Sequence, residues 1–367
     1  MSVRSRILLL SGSSGVGQSV LACLAGRRAS IRLAATSSVP NEAAVFDFDA
    51  VYLAPETRRQ PEAFAARFGE VLANYQPDLV IPCRDDDVVF LAEQRLRAPA
   101  LARRFLCGDA AVAAAMFDKL ESARFSALHG LPFAPTLGAN ADYDAARRFA
   151  AEHGFPLISK PRRGFASHGV RLILDARQLQ KACAQTDHVL QKYVGDADKV
   201  RQLAEEIASR GIALFHTLEE TKLSIQASIS PDGQVTQVFA FDNVMRLGRS
   251  ESVRIVDDAH LVATGTKWAA AFARAGWRGP LNIQGHRGAG GALTIFEYNG
   301  RFTGSTAARA LLGFDEVGVA LRDWLGLVLA PAGPVPAREV IMYPKGRALE
   351  PANAERLLRE GYWSAPE

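Results

Sequence analysis

Short apolar runs separated by glycine, serine and proline turns set the pattern of the early chain. Arg6 to Leu10 predicts a strand, Ser11 to Gln18 a loop, and Ser19 to Gly26 an apolar helix. IRLAATS (31–37) and AVYLAPE (50–56) are further strands, Pro61 to Asn74 a helix, and PDLVIPC (77–83) a fourth strand. FLCGDAAVAAAMFDK (105–119) adds one more strand and a helix. Strands alternating with helices predict a parallel α/β sheet, and this first domain is expected to close near residue 112.

From Phe125 the texture changes. GLPFAPT, FPLISKP, GVRLIL and HVLQKYV read as short strands between turns, with a helix over Ala141 to His153 among them. Asp196 to Arg210 predicts a charged amphipathic helix, and KLSIQASISPDGQVTQVFAF a hairpin turning on Pro231, Asp232 and Gly233. A helix over Leu261 to Ala275 leads to GPLNIQG and then ALTIFEYNGRF. The pattern is an α+β body behind a Rossmann-like lobe.

In TIFEYNGRF, strict alternation would put Ile295, Glu297, Asn299 and Arg301 on one side and Thr294, Phe296 and Tyr298 on the other. A carboxylate, an amide and a guanidinium then share one face of an otherwise apolar segment. Burying charge without a partner is costly, so this row faces either water or a charged ligand.

Composition narrows the options. The 367 residues suffice for two or three domains, and 48% apolar with 22% charged residues is the mixture of a globular chain. The net charge of +4 is spread along the sequence without a long basic run, which argues against nucleic acid as a partner. Cys23, Cys83, Cys107 and Cys183 form no metal-type pair and read as buried free thiols. No apolar stretch is long enough to span a bilayer, and the N-terminus does not resemble a secretory signal; a cytoplasmic location without membrane association is expected.

Two loops have the composition of ligand cradles. SGSSGVGQS carries Gly12, Gly15 and Gly17 between a strand and a helix, but the spacing is not that of a dinucleotide site; a tight turn lining a cleft fits better. SKPRRGFASHGV (159–170) sets Lys160 at a strand end, then arginines, glycines and a serine. It could lay backbone N–H groups and cations over a polyphosphate, or be a solvated hairpin tip.

Taken in order, MFDKLESARFSALHGLPFAPT, FPLISKPRRGFASHGV, VLQKYV, LNIQG and IFEYNGRFTGSTAARALLGFD resemble the ATP-grasp superfamily. Within it they are similar to single-unit carboxylate–amine ligases and to carbamoyl-phosphate synthase large-chain halves. The resemblance implies a Rossmann-like N-terminal lobe (1–112), then an ATP-grasp fold (113–332) built from a small β-rich lid lobe (about 124–194) and a larger sheet-containing lobe. A C-terminal segment (333–367) would pack on the ATP-grasp core. It implies ATP and two Mg²⁺ ions, with Mn²⁺ as a substitute, and a small-molecule carboxylate and amine as substrates. Lys119, Lys160, Arg163, Gly164, Ser167 and Gly169 would hold phosphates, and Gln191, Lys192, Tyr193 and Val194 the adenine. Gln284, Glu297 and Asn299 would bind metal. Lys160 and Arg301 would act on the transferring phosphoryl group, giving an acyl phosphate that an amine displaces. One unit in 367 residues argues against a two-unit carbamoyl-phosphate synthase chain and against a biotin carboxylase. A nucleotide-binding regulatory protein without turnover is the alternative.

One position departs from the family pattern. Lys222 stands where members commonly carry a ribose-binding glutamate, still within the nucleotide site. Substrate candidates are Arg84 and Asp85 in IPCRDDD, Arg246 and Arg249 in the polar loop MRLGRSESVR, and Ser305 and Arg309 after the strand. The acids after Arg84 also suit a plain helix N-terminus. A homodimer is the default assembly.

Overall fold

The computed structural model describes residues 4–138, 142–164, 168–212, 220–246, 249–288, 291–331, 337–343 and 346–366. The first domain contains β1 (Ser5–Leu10), α1 (Gly15–Cys23), β2 (Ile31–Ser37), β3 (Ala50–Leu53), α2 (Pro61–Tyr75), β4 (Leu79–Pro82) and α3 (Asp85–Arg97). β1 to β4 are parallel, in the order β3-β2-β1-β4. Their near-continuous apolar sequence follows from burial on both faces. The helix after β1 begins inside the glycine loop, earlier than the apolar pattern suggests, because Ser14 caps it by accepting from the Gly17 N–H. After α3, Phe105 makes one bridge to Val80 rather than a full strand.

α4 (Ala110–Phe117) and α5 (Lys119–His129) lead into a small antiparallel sheet of β5 (Thr136–Gly138), β6 (Leu157–Pro161), β7 (Arg171–Ile173) and β8 (His188–Lys192), ordered β5-β8-β6-β7. α6 (Tyr143–His153) and α7 (Ala176–Cys183) pack on it around Leu157, Leu179 and Leu190. After α8 (Ala197–Arg210) comes the larger sheet. Its strands are β9 (Glu220–Ile229), β10 (Val235–Arg246), β11 (Arg249–Ile255), β12 (Gly279–Arg287), β13 (Leu293–Asn299) and β14 (Glu339–Ile341), in the antiparallel order β13-β12-β9-β10-β11-β14. MRLGRSESVR is therefore a hairpin and not a plain loop. Val253 is buried while polar residues flank it, a one-sided pattern too sparse to stand out as a strand.

One face of the larger sheet packs Leu223, Ile225, Leu281, Ile283 and Tyr298 with Phe272 of α9 (Ala259–Arg274) and Met116 of α4. The other face is polar over β9, β12 and β13, whereas toward β10 and β11 Phe241 and Val253 pack with Ala308, Leu312 and Phe314. α10 (Thr306–Leu311) and α11 (Glu316–Leu325) follow β13 and lie against the first domain, where the Ala307 N–H donates to Ser19 Oγ at 2.8 Å. The final segment is shared between domains. β14 extends the larger sheet, whereas α12 (Pro351–Glu360) and β15 (Tyr362–Ser364) join the first domain, β15 pairing with β3. The segment expected to pack on the ATP-grasp core thus pairs with the larger sheet through β14 and with the first through β15.

The first domain is also pinned at Gly108. A Cβ there would stand 2.5 Å from the Gly276 carbonyl oxygen and from Trp277 Cα. Backbone cannot yield as a flexible side chain would. Gly108→Ala is expected to cost about 1–3 kcal/mol by overpacking, read as a lower urea midpoint; an unchanged midpoint would show that the junction is looser than its packing indicates.

Candidate active site

Asp118 fixes the first cation of the cleft. Its carboxylate accepts from the Leu120 N–H at 3.0 Å, capping α5 and placing Lys119 in the first turn. Arg162 pairs with the same carboxylate at 2.8 Å and Arg163 lies 3.5 Å from it, so both arginines brace the β6–β7 turn to α5. Lys119 Nζ donates to the Gly164 carbonyl at 3.0 Å and stands 3.9 Å from Glu297. The turn thus lies beside the cleft. Gly169 has φ +75°, a left-handed conformation that favours glycine, and a Cβ would touch Pro161 at 3.0 Å.

Lys160 is the penultimate residue of β6 and is 6% exposed. Its Nζ donates to Gln191 Oε1 at 2.8 Å and to the Phe296 carbonyl at 3.2 Å, while Gln191 Nε2 donates to Thr136. Both acceptors are neutral. Burial, opposed by Glu297 and aided by Lys119 and Lys222, pulls the Lys160 ammonium from its usual 10.5 down to about 7.

β13 does not alternate strictly. A register shift opposite Gln284 and Gly285 pairs Glu297 with Gln284 but Ile295 with Gly285, leaving Phe296 as an extra residue. Ile295 consequently turns into the core beside Tyr298, and Phe296 joins Glu297 and Asn299 at the cleft. The alternation expected from the sequence, with Ile295 beside Glu297, fails for this reason. Lys160 and Lys222 lie over the Phe296 ring at 5.8 and 5.5 Å.

Arg301, just beyond β13, is held from two sides. It pairs with Asp85 of α3 at 2.7 Å, donates to Asn299 Oδ1 at 3.1 Å and to the Phe302 carbonyl at 3.2 Å, and its buried Nε has no partner. Asp86 and Asp87 instead turn inward at the start of α3, where Asp87 accepts from Thr57 at 2.7 Å and from the Arg84 N–H at 3.1 Å. Burial raises Asp87 to about 7. For these two acids the helix-terminus reading describes what is seen; Asp85 alone reaches the cleft.

The cleft has a volume of 1510 Å³, more than the roughly 300–1,000 Å³ of a single small-ligand pocket. Lys119, Lys160, Gly164, Gln191, Tyr193, Val194, Lys222, Gln284, Glu297, Asn299 and Arg301 all line it. Ser167 and the side chain of Arg249 lie outside the described residues, and Lys192 points to solvent. Arg84, Arg246 and Ser305 also line the cleft, with Ser305 against Ser250 at 2.9 Å. Arg309 is placed differently from a substrate-binding arginine. It touches the cleft wall but is 1% exposed, paired with Glu316 and bonded to Thr303 and Thr306. Sequence reasoning missed Phe296, His286, Glu42 and the buried Asn282. The bulge that exposes Phe296 has no one-dimensional signature, whereas the LNIQG motif did contain Asn282.

No family model and no curated protein matches the chain. Solved structures do. The biotin carboxylase domain of Hydrogenobacter thermophilus 2-oxoglutarate carboxylase, a dimer in complex with MgADP, ADP and bicarbonate, is 17% identical with a TM-score of 0.61, covering 90% of this chain and 71% of that one. N5-carboxyaminoimidazole synthetase from Staphylococcus aureus is 11% identical with a TM-score of 0.65, covering 90% and 80%. Biotin carboxylase from Campylobacter jejuni is 16% identical with a TM-score of 0.62, covering 88% and 72%. The chain has the ATP-grasp fold. Residues of β9, β12 and β13 on one side and of β6 and β8 on the other line this cleft. Among the described residues no helix is long and apolar enough to cross a membrane.

Lys160 makes the cleft sensitive to pH. Between about 7 and 10.5 the unfolded chain holds a proton at this lysine that the folded chain lacks. Stability therefore rises with pH across that window and is lower below it. An anion seated against Lys160 reverses the shift, so tripolyphosphate binding at pH 8 should take up protons. Calorimetry in buffers of different ionisation enthalpy should show this uptake, reduced in Lys160→Met; equal buffer dependence in both proteins would remove Lys160 as the proton acceptor.

Proposed function

We propose that this chain is an ATP-dependent ligase that activates a small-molecule carboxylate as an acyl phosphate and joins it to an amine, releasing ADP and phosphate. The observation that carries this reading is the cluster of Lys119, Lys160, Lys222 and Arg301 around one cleft whose central lysine is buried against neutral partners only. Asp85 pairs with Arg301 and Glu297 lies 3.9 Å from Lys119, but no carboxylate bonds Lys160, and a triphosphate would supply that charge. The partnerless buried Nε of Arg301 points the same way.

The residues present fit magnesium. Glu297 offers a carboxylate, and Gln284 and Asn299 offer amide oxygens, the hard donors that Mg²⁺ takes while phosphates complete its shell. When bound, the metal neutralises phosphate charge. Around it the chain positions and shields. Lys160 and Arg301 offset negative charge as a carboxylate oxygen bonds to the γ-phosphorus and ADP departs. The amine nitrogen then bonds to the acyl carbon, phosphate leaves, and the nitrogen loses a proton. Arg162 and Gly164, at the described start of the β6–β7 connection and tied to Asp118 and Lys119, would lie beside the phosphates and help exclude water. Tyr193 and Val194, following β8, would flank the base, and Lys222 would stand near the ribose or a phosphate. Arg84, Arg246 and Ser305 would face the acid or the amine.

The size of the cleft is what a nucleotide and a second ligand together require. A first neighbour holds bicarbonate, so bicarbonate belongs among the acids tried. Phosphate release should follow mixing with ATP, Mg²⁺ and one acid–amine pair from a panel of amino acids and bicarbonate. Nucleotide binding without phosphate release across the whole panel would favour a regulatory protein. Glu297→Gln should retain the fold and lower turnover ~100-fold or more; near-native turnover at ordinary Mg²⁺ would defeat the metal assignment.

A further inference from the structure

Beneath the cleft runs a chain of side-chain hydrogen bonds with a fixed direction. It starts at Glu316, the first residue of α11, which is 1% exposed and paired with Arg309. One carboxylate oxygen of Glu316 takes Thr306 at 2.5 Å and Arg309 Nε at 3.2 Å. The other accepts from Gln226 Nε2 at 2.5 Å. Gln226 is 0% exposed, and its Oε1 accepts from Asn282 Nδ2 at 2.9 Å. Asn282, 1% exposed, turns its Oδ1 to the cleft side, where it accepts from Gln284 Nε2 at 2.9 Å and from Asn299 Nδ2 at 3.3 Å.

Each amide has one accepting and one donating end, and a carboxylate only accepts. A carboxylate in an ion pair therefore dictates which end of Gln226 faces it. Gln226 must then show its oxygen to Asn282, and Asn282 its oxygen to Gln284 and Asn299. Both of these amides are thereby held by their NH₂ groups, leaving Gln284 Oε1 and Asn299 Oδ1 as their outward ends. Arg301 reinforces the second by donating to Asn299 Oδ1 at 3.1 Å. Reversing any one amide would oppose two acceptors or two donors in a buried site, where an unmet group is costly.

We propose that Glu316 is a positioning residue: through Gln226 and Asn282 it fixes the orientation in which Gln284 and Asn299 present oxygen to a divalent cation. The inference rests on the metal-ligand reading of Gln284 and Asn299, and its test separates the two. Gln226→Met breaks the relay with a side chain of similar length and leaves the Glu316–Arg309 pair in place. Asn282→Leu removes the branching amide.

The probe is Mn²⁺ in the presence of ADP, followed by its paramagnetic resonance, alongside ADP affinity without metal and a thermal melt. Side-chain amide resonances of Asn/Gln-labelled protein report orientation with no ligand at all. In Gln226→Met, Mn²⁺ affinity should fall ~10-fold or more, ADP affinity without metal should hold, and the Gln284 and Asn299 amide resonances should move. Asn282→Leu should act in the same direction. Glu316→Gln should shift the same resonances, although its melt will also fall because Arg309 loses its partner. If wild-type protein binds no Mn²⁺, the metal-ligand reading fails and the resonances alone judge the relay. Unmoved resonances in Gln226→Met overturn it, whatever the metal does. Moved resonances with unchanged Mn²⁺ affinity overturn its link to the cation.

Discussion

A sheet that is apolar on one face and polar on the other can be enclosed only if every polar group on the second face finds a partner. In this protein the β9, β12 and β13 part of the larger sheet has such a polar face and meets that requirement in two ways. Far from the opening, Gln226, Asn282, Arg309 and Glu316 satisfy one another. Nearer the opening the partners thin out. Lys160 has only neutral acceptors, and Arg301 keeps one donor unmet. Charge that is buried yet incompletely matched favours a surface completed by a ligand, and this imbalance is what supports the proposed anionic occupant.

The first domain participates in this arrangement directly. Asp85 at the start of α3 reaches Arg301 at 2.7 Å, with both side chains mostly enclosed. Arg27 reaches Asp315 at 2.6 Å, next to the residue that begins the buried relay. The serine and glycine loop before α1 supplies the facing wall. Parallel sheets place their loops at the strands' carboxyl ends, which is the natural location of a ligand crevice. The same topology here sets that edge against the polar face of the second sheet, so one cleft serves both domains.

Much of this was legible in one dimension. The alternation of strands and helices gave the first domain, and Pro231-Asp232-Gly233 gave the β9–β10 hairpin. Lys119, Lys160, Gln191, Gln284, Glu297, Asn299 and Arg301 were all named from motifs, and all line one cleft. What escaped was set by three-dimensional pairing. A single bulge in β13 moved Ile295 inward and Phe296 outward, and no period-two reading can register an extra residue. The strand β11 was hidden because its polar side resembles a loop. Arg309 looked available for substrate because its partner, Glu316, lies on the following helix and only folding shows their contact. Terminal strand β15 could not be placed on the first sheet from sequence, since a short edge strand carries little pattern of its own.

Lys222 shows how a departure from a family pattern can be read as physics. A carboxylate at this position would bring negative charge toward Lys160 and raise its proton affinity. The lysine does the reverse, and together with Lys119 it works against the one carboxylate, Glu297, that favours the protonated form. Its ammonium rests over Phe296, whose ring faces both lysines because of the bulge, so part of the repulsion is offset by the ring's electron density. The bulge, the aromatic face and the cation therefore form one unit: the extra residue places Phe296 on the cleft side, with its ring centroid 5.8 Å from Lys160 Nζ and 5.5 Å from Lys222 Nζ. A site so assembled holds the proton affinity of Lys160 down, and under the proposed function a polyanion would restore it. Lys222 thus adds, after burial and alongside Lys119, to what holds the Lys160 proton affinity down, and as a lysine it cannot stand in for a hydrogen-bond acceptor.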